Sequence, residues 1–327
     1  MNLDVFFILG EMRTMGNRQK VNKVDSRKAR QQAIRRAEAK LRKQIFFDPT
    51  YDIVFKKIFE KMQTLVHFLN AILHLKGANR FVYAAPIKPT INLSTPAKKQ
   101  KIARFDVHAR TENGQFIDIE MQRASHEDFL ERIELYSTLL TVNAKITMDS
   151  DMSPQERANH PYRMPTVYSI WICNFNVDFC NSYHEEFSLF RHSDLKKPNP
   201  LPIYPKKRYI IVDLTKFVSK KNNSPENKWI RLFKTASKAR RAPKVNDSVL
   251  DDVYERLKIS NATSKFIKKV ATDMVTKEEI STRMGTARRE GEAKANKKFA
   301  AREKKIAKFL RANGVSAKLL NAALAIK

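Results

Sequence analysis

Two runs of alternating residues, 103–110 and 116–122, lie on either side of Asn113-Gly114 and constrain this chain more than any other feature. In the first, Ala103, Phe105, Val107 and Ala109 alternate with Arg104, Asp106, His108 and Arg110. In the second, Ile117, Ile119 and Met121 alternate with Asp118, Glu120 and Gln122. Successive side chains of a strand point to opposite faces, so each run predicts a strand with one apolar and one polar face. Asn-Gly between two such runs predicts a hairpin. Loop length then sets the register, and a slip of one residue reverses every side chain. A two-residue loop pairs Glu112 with Gln115 and sends Asp106 and Glu120 to different faces. A three-residue loop, Glu112-Asn113-Gly114 with Gly114 left-handed, pairs Thr111 with Gln115 and sets Asp106 opposite Glu120, with Gln122 beside it. We favour the second, because it also buries Phe105, Val107, Ile117, Ile119 and Met121 together.

Two facing carboxylates repel unless a cation lies between them. Oxygen ligands on a rigid sheet suit a hard divalent ion, Mg2+ or Mn2+, rather than zinc. Such an ion activates water and stabilises charge developing on a phosphate. The basic run Lys98, Lys99, Lys101 and Arg104 just upstream would attract a phosphate backbone. The same two acids would serve equally as polar residues on the exposed face of a two-sided sheet.

Charge points the same way. The 327 residues carry a net charge of +29 with pI near 10.1, which favours polyanionic partners. Residues 1–45 hold 12 basic against 4 acidic residues, and 283–327 hold 13 against 3. This predicts a folded body between two basic extensions. The longest apolar run, 5–9, is too short to span a bilayer, so no membrane association is expected. With only Cys173 and Cys180, neither a disulfide framework nor a multi-cysteine zinc site is expected, and a reducing, cytoplasmic location follows. Cys173, in a hydrophobic run, is expected in the core. Among seven glycines there is no glycine-rich phosphate loop and no nucleophile elbow, so any chemistry must rest on carboxylates.

Elsewhere, Asp48-Pro49-Thr50 starts a helical stripe running from Phe55 to Leu73, closed by Gly77. Ser125 with Asp128 resembles a capping box before a helix with Phe129, Ile133, Tyr136 and Leu140 on one face. Runs 166–175 and 208–214 predict buried strands, and the chain turns helical from Pro225. Ala312-Asn313-Gly314-Val315-Ser316 predicts a helix stop followed by a new N-cap. The extension around 18–43 lacks an apolar face and fits a tail or a DNA-contacting arm.

Several segments together resemble the PD-(D/E)XK nuclease family transposases, also described as recombination-promoting nucleases. They are Tyr51-Asp52 with Phe55-Lys56-Lys57-Ile58-Phe59, Phe68-Leu69-Asn70-Ala71-Ile72-Leu73, Phe105-Asp106-Val107, and Ile119-Glu120-Met121-Gln122. Arg132 with Tyr136, Ser169-Ile170-Trp171-Ile172, His184 with Phe187, Val212-Asp213-Leu214-Thr215-Lys216-Phe217, and Trp229 with Phe233 continue the likeness over roughly 47–312.

The resemblance implies an α/β fold with a restriction-endonuclease-like core, αβββαβ, its central mixed sheet flanked by helices. The implied organisation is a basic extension over 1–45, a nuclease-like domain over 46–240, and a basic helical region over 241–327. It implies magnesium-dependent cutting of DNA in recombination or transposition, with Asp106, Glu120 and the Met121 carbonyl as metal ligands. Gln122 stands where the superfamily signature usually has Lys and would orient the attacking water. Lys101 would supply the missing charge or belong to a solvated loop. Asp52 would reach the site through water or cap its helix, with Glu60 a weaker candidate. Arg132 and Tyr136 would face the site or pack the helix, whereas His108 and His126 are incidental. Lys98, Lys99 and Arg104 would contact DNA, and a homo-oligomer is compatible with the chain. Rival readings are a DNA-binding protein with a decayed site and a scaffold protein whose charge serves solubility or RNA binding.

Overall fold

A computed structural model describes residues 27–316, apart from 88–89, 96–97, 126, 199, 219–222 and 242, and also residue 319. The described chain divides into two compact units, one ending at Ala271 and the other starting at Thr272.

The first unit is built on a six-stranded mixed sheet. Its strands are β1 (Ala84–Pro86), β4 (Val107–Thr111), β5 (Phe116–Gln122), β6 (Val167–Cys173), β7 (His184–Leu189) and β8 (Tyr204–Asp213), in the order β1-β4-β5-β6-β8-β7. β1, β4 and β5 are antiparallel neighbours, whereas β5, β6 and β8 run parallel, and β7 closes the edge antiparallel to β8. A parallel pair needs a long crossover. Here α4 (Phe129–Asp151) and α5 (Pro154–Asn159) lie between β5 and β6. β6 reads Val-Tyr-Ser-Ile-Trp-Ile-Cys and is buried throughout, as an unbroken apolar run in a parallel sheet should be. Cys173 and Cys180 are buried and unbridged.

The hairpin has the register set by the three-residue loop. Val107 faces Ile119 and His108 faces Asp118. Thr111 N–H donates to the Gln115 carbonyl at 3.0 Å, and Gly114, at φ +70°, takes the left-handed conformation that closes the loop. Two features differ from expectation. The first run is two strands, because β3 (Lys98–Arg104) pairs with β2 (Thr90–Thr95) in a separate two-stranded sheet and the chain bends at Phe105-Asp106. Alternation breaks at that bend, so Phe105 packs with Phe116, Leu139, Leu140 and Val167 rather than beside Val107. The polar face of β5 is also not exposed: α4 packs over β5 and β6, leaving Asp118 and Glu120 about 0–1% accessible.

The long stripe after Pro49 is two helices, α2 (Asp52–Ile58) and α3 (Met62–Ile72), broken at Phe59. Folding back lets Phe55, Phe59 and Phe68 close around Trp229 and Phe233 of α6 (Pro225–Thr235), with ring centroids 4.9–6.1 Å apart. From α7 (Ser248–Leu257), Arg256 donates to the carbonyls of Lys57 and Ile58 at 2.9 and 3.0 Å and to Thr64 Oγ1 at 2.8 Å. A guanidinium at the end of α2 satisfies carbonyls that have no helical partner and fixes that helix. α4 begins at Phe129, so Ser125 lies outside its first turn. Residues 27–41 form a further helix, α1, with Leu41 buried; the rest of the 1–45 extension lies outside the described residues.

α8 (Ser264–Ala312) runs 49 residues through the basic C-terminal region. It stops as the sequence expects: Gly314 is left-handed at φ +81°, Val315 N–H bonds Leu310 C=O, and Ser316 Oγ accepts from Leu319 N–H. No helix among the described residues is long and apolar enough to cross a membrane.

Candidate active site

Asp106 occupies the bend before β4, directly across from Glu120 on β5. Its backbone N–H donates to Glu120 Oε1 at 2.9 Å, and its Oδ2 accepts from Met121 N–H at 3.1 Å. The backbone ladder ends at Val107–Ile119, and the two carboxylates carry the pairing one step further. Gln122, two residues on and on the same face, donates its amide to Glu120 Oε2 at 3.3 Å.

Three carboxyls crowd this face. Burial, with the Asp106 carboxylate next to it, pushes the Glu120 carboxyl well up. Burial also raises Asp106, against the pull of Lys56, and the Asp52 carboxylate raises it further. Asp118 is wholly buried, and burial with the neighbouring Glu120 and Asp106 carboxyls pushes its own carboxyl far up. Sequence reasoning missed Asp118, although its position in Asp118-x-Glu120-x-Gln122 already placed it on this face.

Two cations face the carboxylates. Lys56 Nζ, from α2, stands 2.9 Å from Asp106 Oδ1. Arg132, from the first turns of α4, places Nη2 3.8 Å from Glu120 Oε2, with its guanidinium 5.0 Å from the Tyr136 ring centroid and 6.0 Å from that of Trp171. Lys56 therefore sets a positive charge directly against Asp106. Its signal was in the sequence, as the lysine one helical turn after Asp52. The backbone of Lys98, Lys99 and Lys101 lies in β3, while their side chains are outside the described residues; Arg104 is exposed.

The remaining candidates separate. Asp52 opens α2 close enough to raise Asp106, whereas Glu60 is exposed beyond its end. Tyr136 packs edge-on against Phe105 and Trp171, at 5.6 and 5.7 Å. His108 is buried between the rings of Phe105 and Phe116, and His126 lies outside the described residues.

The donor set fits a hard divalent cation. The groups able to ligate a metal here are carboxylate oxygens, Glu120 is buried and Asp106 partly so, and their mutual repulsion is what a cation would relieve. A mixed sheet flanked by helices, with an acidic pair across the hairpin that precedes the parallel crossover, defines a restriction-endonuclease-like α/β protein. Residues 49–282 match the family model described as PD-(D/E)XK nuclease family transposase, and the chain belongs to that family. Searches of curated proteins and of solved structures find no match.

Proposed function

We propose that this protein is a divalent-metal-dependent endonuclease that hydrolyses DNA phosphodiester bonds in recombination or transposition. The observation that carries the reading is the Asp106–Glu120 pair, Glu120 buried and Asp106 partly so, each carboxylate fixed by a backbone N–H from across the hairpin. Asp106, Glu120 and the Met121 carbonyl would hold Mg2+, or Mn2+ in its place. A bound ion of this kind supplies an activated water and neutralises charge on the phosphate.

The chain's own residues do the rest. Gln122, bonded to Glu120, has further amide hydrogen-bonding capacity with which to orient a water, and it carries no proton to transfer. Lys56 holds a positive charge against Asp106 where an anionic substrate would meet it, and Arg132 does so beside Glu120. Lys98, Lys99, Arg104 and the basic flanks over 1–45 and 241–327 would attract phosphates without reading bases. The unbridged cysteines fit a cytoplasmic location.

The test compares wild type with Asp106→Ala on supercoiled plasmid, in magnesium and in EDTA. Nicking or linearisation that requires both magnesium and Asp106 is expected. Salt-sensitive binding without cutting, alike in both proteins, would replace this reading with a DNA-binding protein whose site has decayed.

A further inference from the structure

Away from the carboxylate face, three side chains distant in sequence converge. His74 follows the end of α3, His184 opens the edge strand β7, and Glu226 lies in the first turn of α6. His74 Nε2 is 2.9 Å from Glu226 Oε2, and His184 Nδ1 bonds Glu226 Oε1. The two imidazoles stack with centroids 4.9 Å apart, and Tyr183 donates its hydroxyl to Glu226 Oε2 at 3.3 Å. One ligand atom from each of the three residues lies within 4.8 Å of the other two, the only such His, Cys, Asp or Glu group among the described residues.

Backbone geometry supports a purpose for His74. It sits at φ +52°, where a helix end usually places glycine, with Leu75 N–H bonded to Asn70 C=O across the turn. A left-handed conformation is costly for a residue with a Cβ. Here it turns an imidazole toward Glu226. His184 and Glu226 are shielded, whereas the His74 side chain is 58% exposed, so the cluster opens to solvent on that side.

We propose that His74, His184 and Glu226 form a second metal site, for a zinc-class divalent ion, joining the ends of α3, β7 and α6. Two imidazoles and one carboxylate make a donor set that zinc, cobalt or nickel accepts and magnesium does not favour. Around a tetrahedral ion with ligands at about 2.0–2.1 Å, ligand atoms stand roughly 3.3 Å apart. Glu226 and His74 are already near that spacing, and His74 is exposed enough to adjust. A cation would also replace the sharing of protons between two stacked imidazoles and one carboxylate. The ion's role follows from the positions it joins: it would tie down segments more than 40 residues apart in sequence. This inference is independent of the nuclease reading, because none of the three residues belongs to the Asp106–Glu120 site.

The test uses full-length, untagged protein stripped with EDTA and titrated with Co2+ and then Zn2+ in excess Mg2+. One equivalent of Co2+ should give the visible absorption of a tetrahedral site, and Zn2+ should displace it and raise Tm. His74→Ala changes a mostly exposed side chain, so its metal-free Tm should fall by no more than the loss of one histidine–carboxylate pair. It should lose more than about 100-fold in affinity, beyond what removing an outer-shell partner costs. His184→Ala should lose the absorption, whereas Asp106→Ala should retain it. A wild type with no Co2+ absorption and no zinc-dependent rise in Tm, or His74→Ala binding as wild type does, would overturn the proposal and leave an ordinary histidine–carboxylate ion pair.

Discussion

Lys56 and Asp106 lie 50 positions apart, on a helix and at a strand bend, and their charged atoms meet at 2.9 Å. The lysine thus reaches the candidate metal-ligating carboxylate from outside the sheet, while the strand position two residues after Glu120 carries an amide. Replacing Lys56 with Met should lower magnesium-dependent plasmid cutting by about 10²-fold, the typical loss for one donor aimed at developing charge. Lys56→Arg should recover part of it. Because Lys56 is partly exposed, the Tm of both variants should stay near wild type.

Gln122 is expected to act through orientation alone. Gln122→Ala should reduce cutting by roughly 10²-fold, at the lower end of what a proton-transferring group contributes. Single-turnover rates with bound DNA would check this, since DNA affinity should not change.

Stability should follow pH through the histidine cluster. His184 and His74 hold Glu226 down at about 2 against burial, from an ordinary 4.5. A carboxyl lowered on folding contributes stability above pH 4.5 and loses it as pH falls toward 2, here on the order of 2–3 kcal/mol at most. The Glu226 hydrogen bond raises His74 above 6.5, so that contribution is full below 6.5 and fades as pH rises through the folded value. Melting curves in EDTA from pH 2.5 to 8 should show wild type losing its advantage over Glu226→Gln on the acid side.

Asp213, at the end of β8, is a structural keystone rather than a reactive acid. Its Oδ1 accepts from Thr215 N–H and Oγ1 at 2.8 and 2.7 Å, and its Oδ2 accepts from Val177 N–H at 2.8 Å. Although burial opposes it, Thr215 and these amides hold its carboxyl below the usual range. Asp213→Ala would leave buried donors unmet and should cost about 3 kcal/mol in urea denaturation. Asp213→Asn should cost less, because an amide oxygen still accepts.

Local pattern carried the hairpin but not its register: a period of two and Asn113-Gly114 marked the two strands, and the three-residue loop that sets Asp106 against Glu120 was chosen for a joint apolar burial that Phe105 does not share. The same alternation misled about exposure. It marks which side chains share a face, not what covers that face, and α4 arrives from residues beyond the strand. The break between α2 and α3 was invisible because its apolar spacing suits one helix as well as two. Lys56 was legible as a helix residue, but its approach to Asp106 depends on how α2 is anchored, in part by Arg256 nearly 200 positions away. The family motif at Asp213 was recognisable, whereas its role in satisfying loop amides needed the fold.

The reciprocal clasp between Asp106 and Glu120 has a consequence for inheritance. Each carboxylate is at once a proposed metal ligand and the rung that finishes the pairing of β4 with β5. A lineage that truncates either one forfeits chemistry and loosens its hairpin in a single step. Loss of catalysis with the architecture intact should therefore proceed through Asn or Gln at these positions. Amide relics, rather than alanine scars, would be the expected fossils of a retired enzyme of this build.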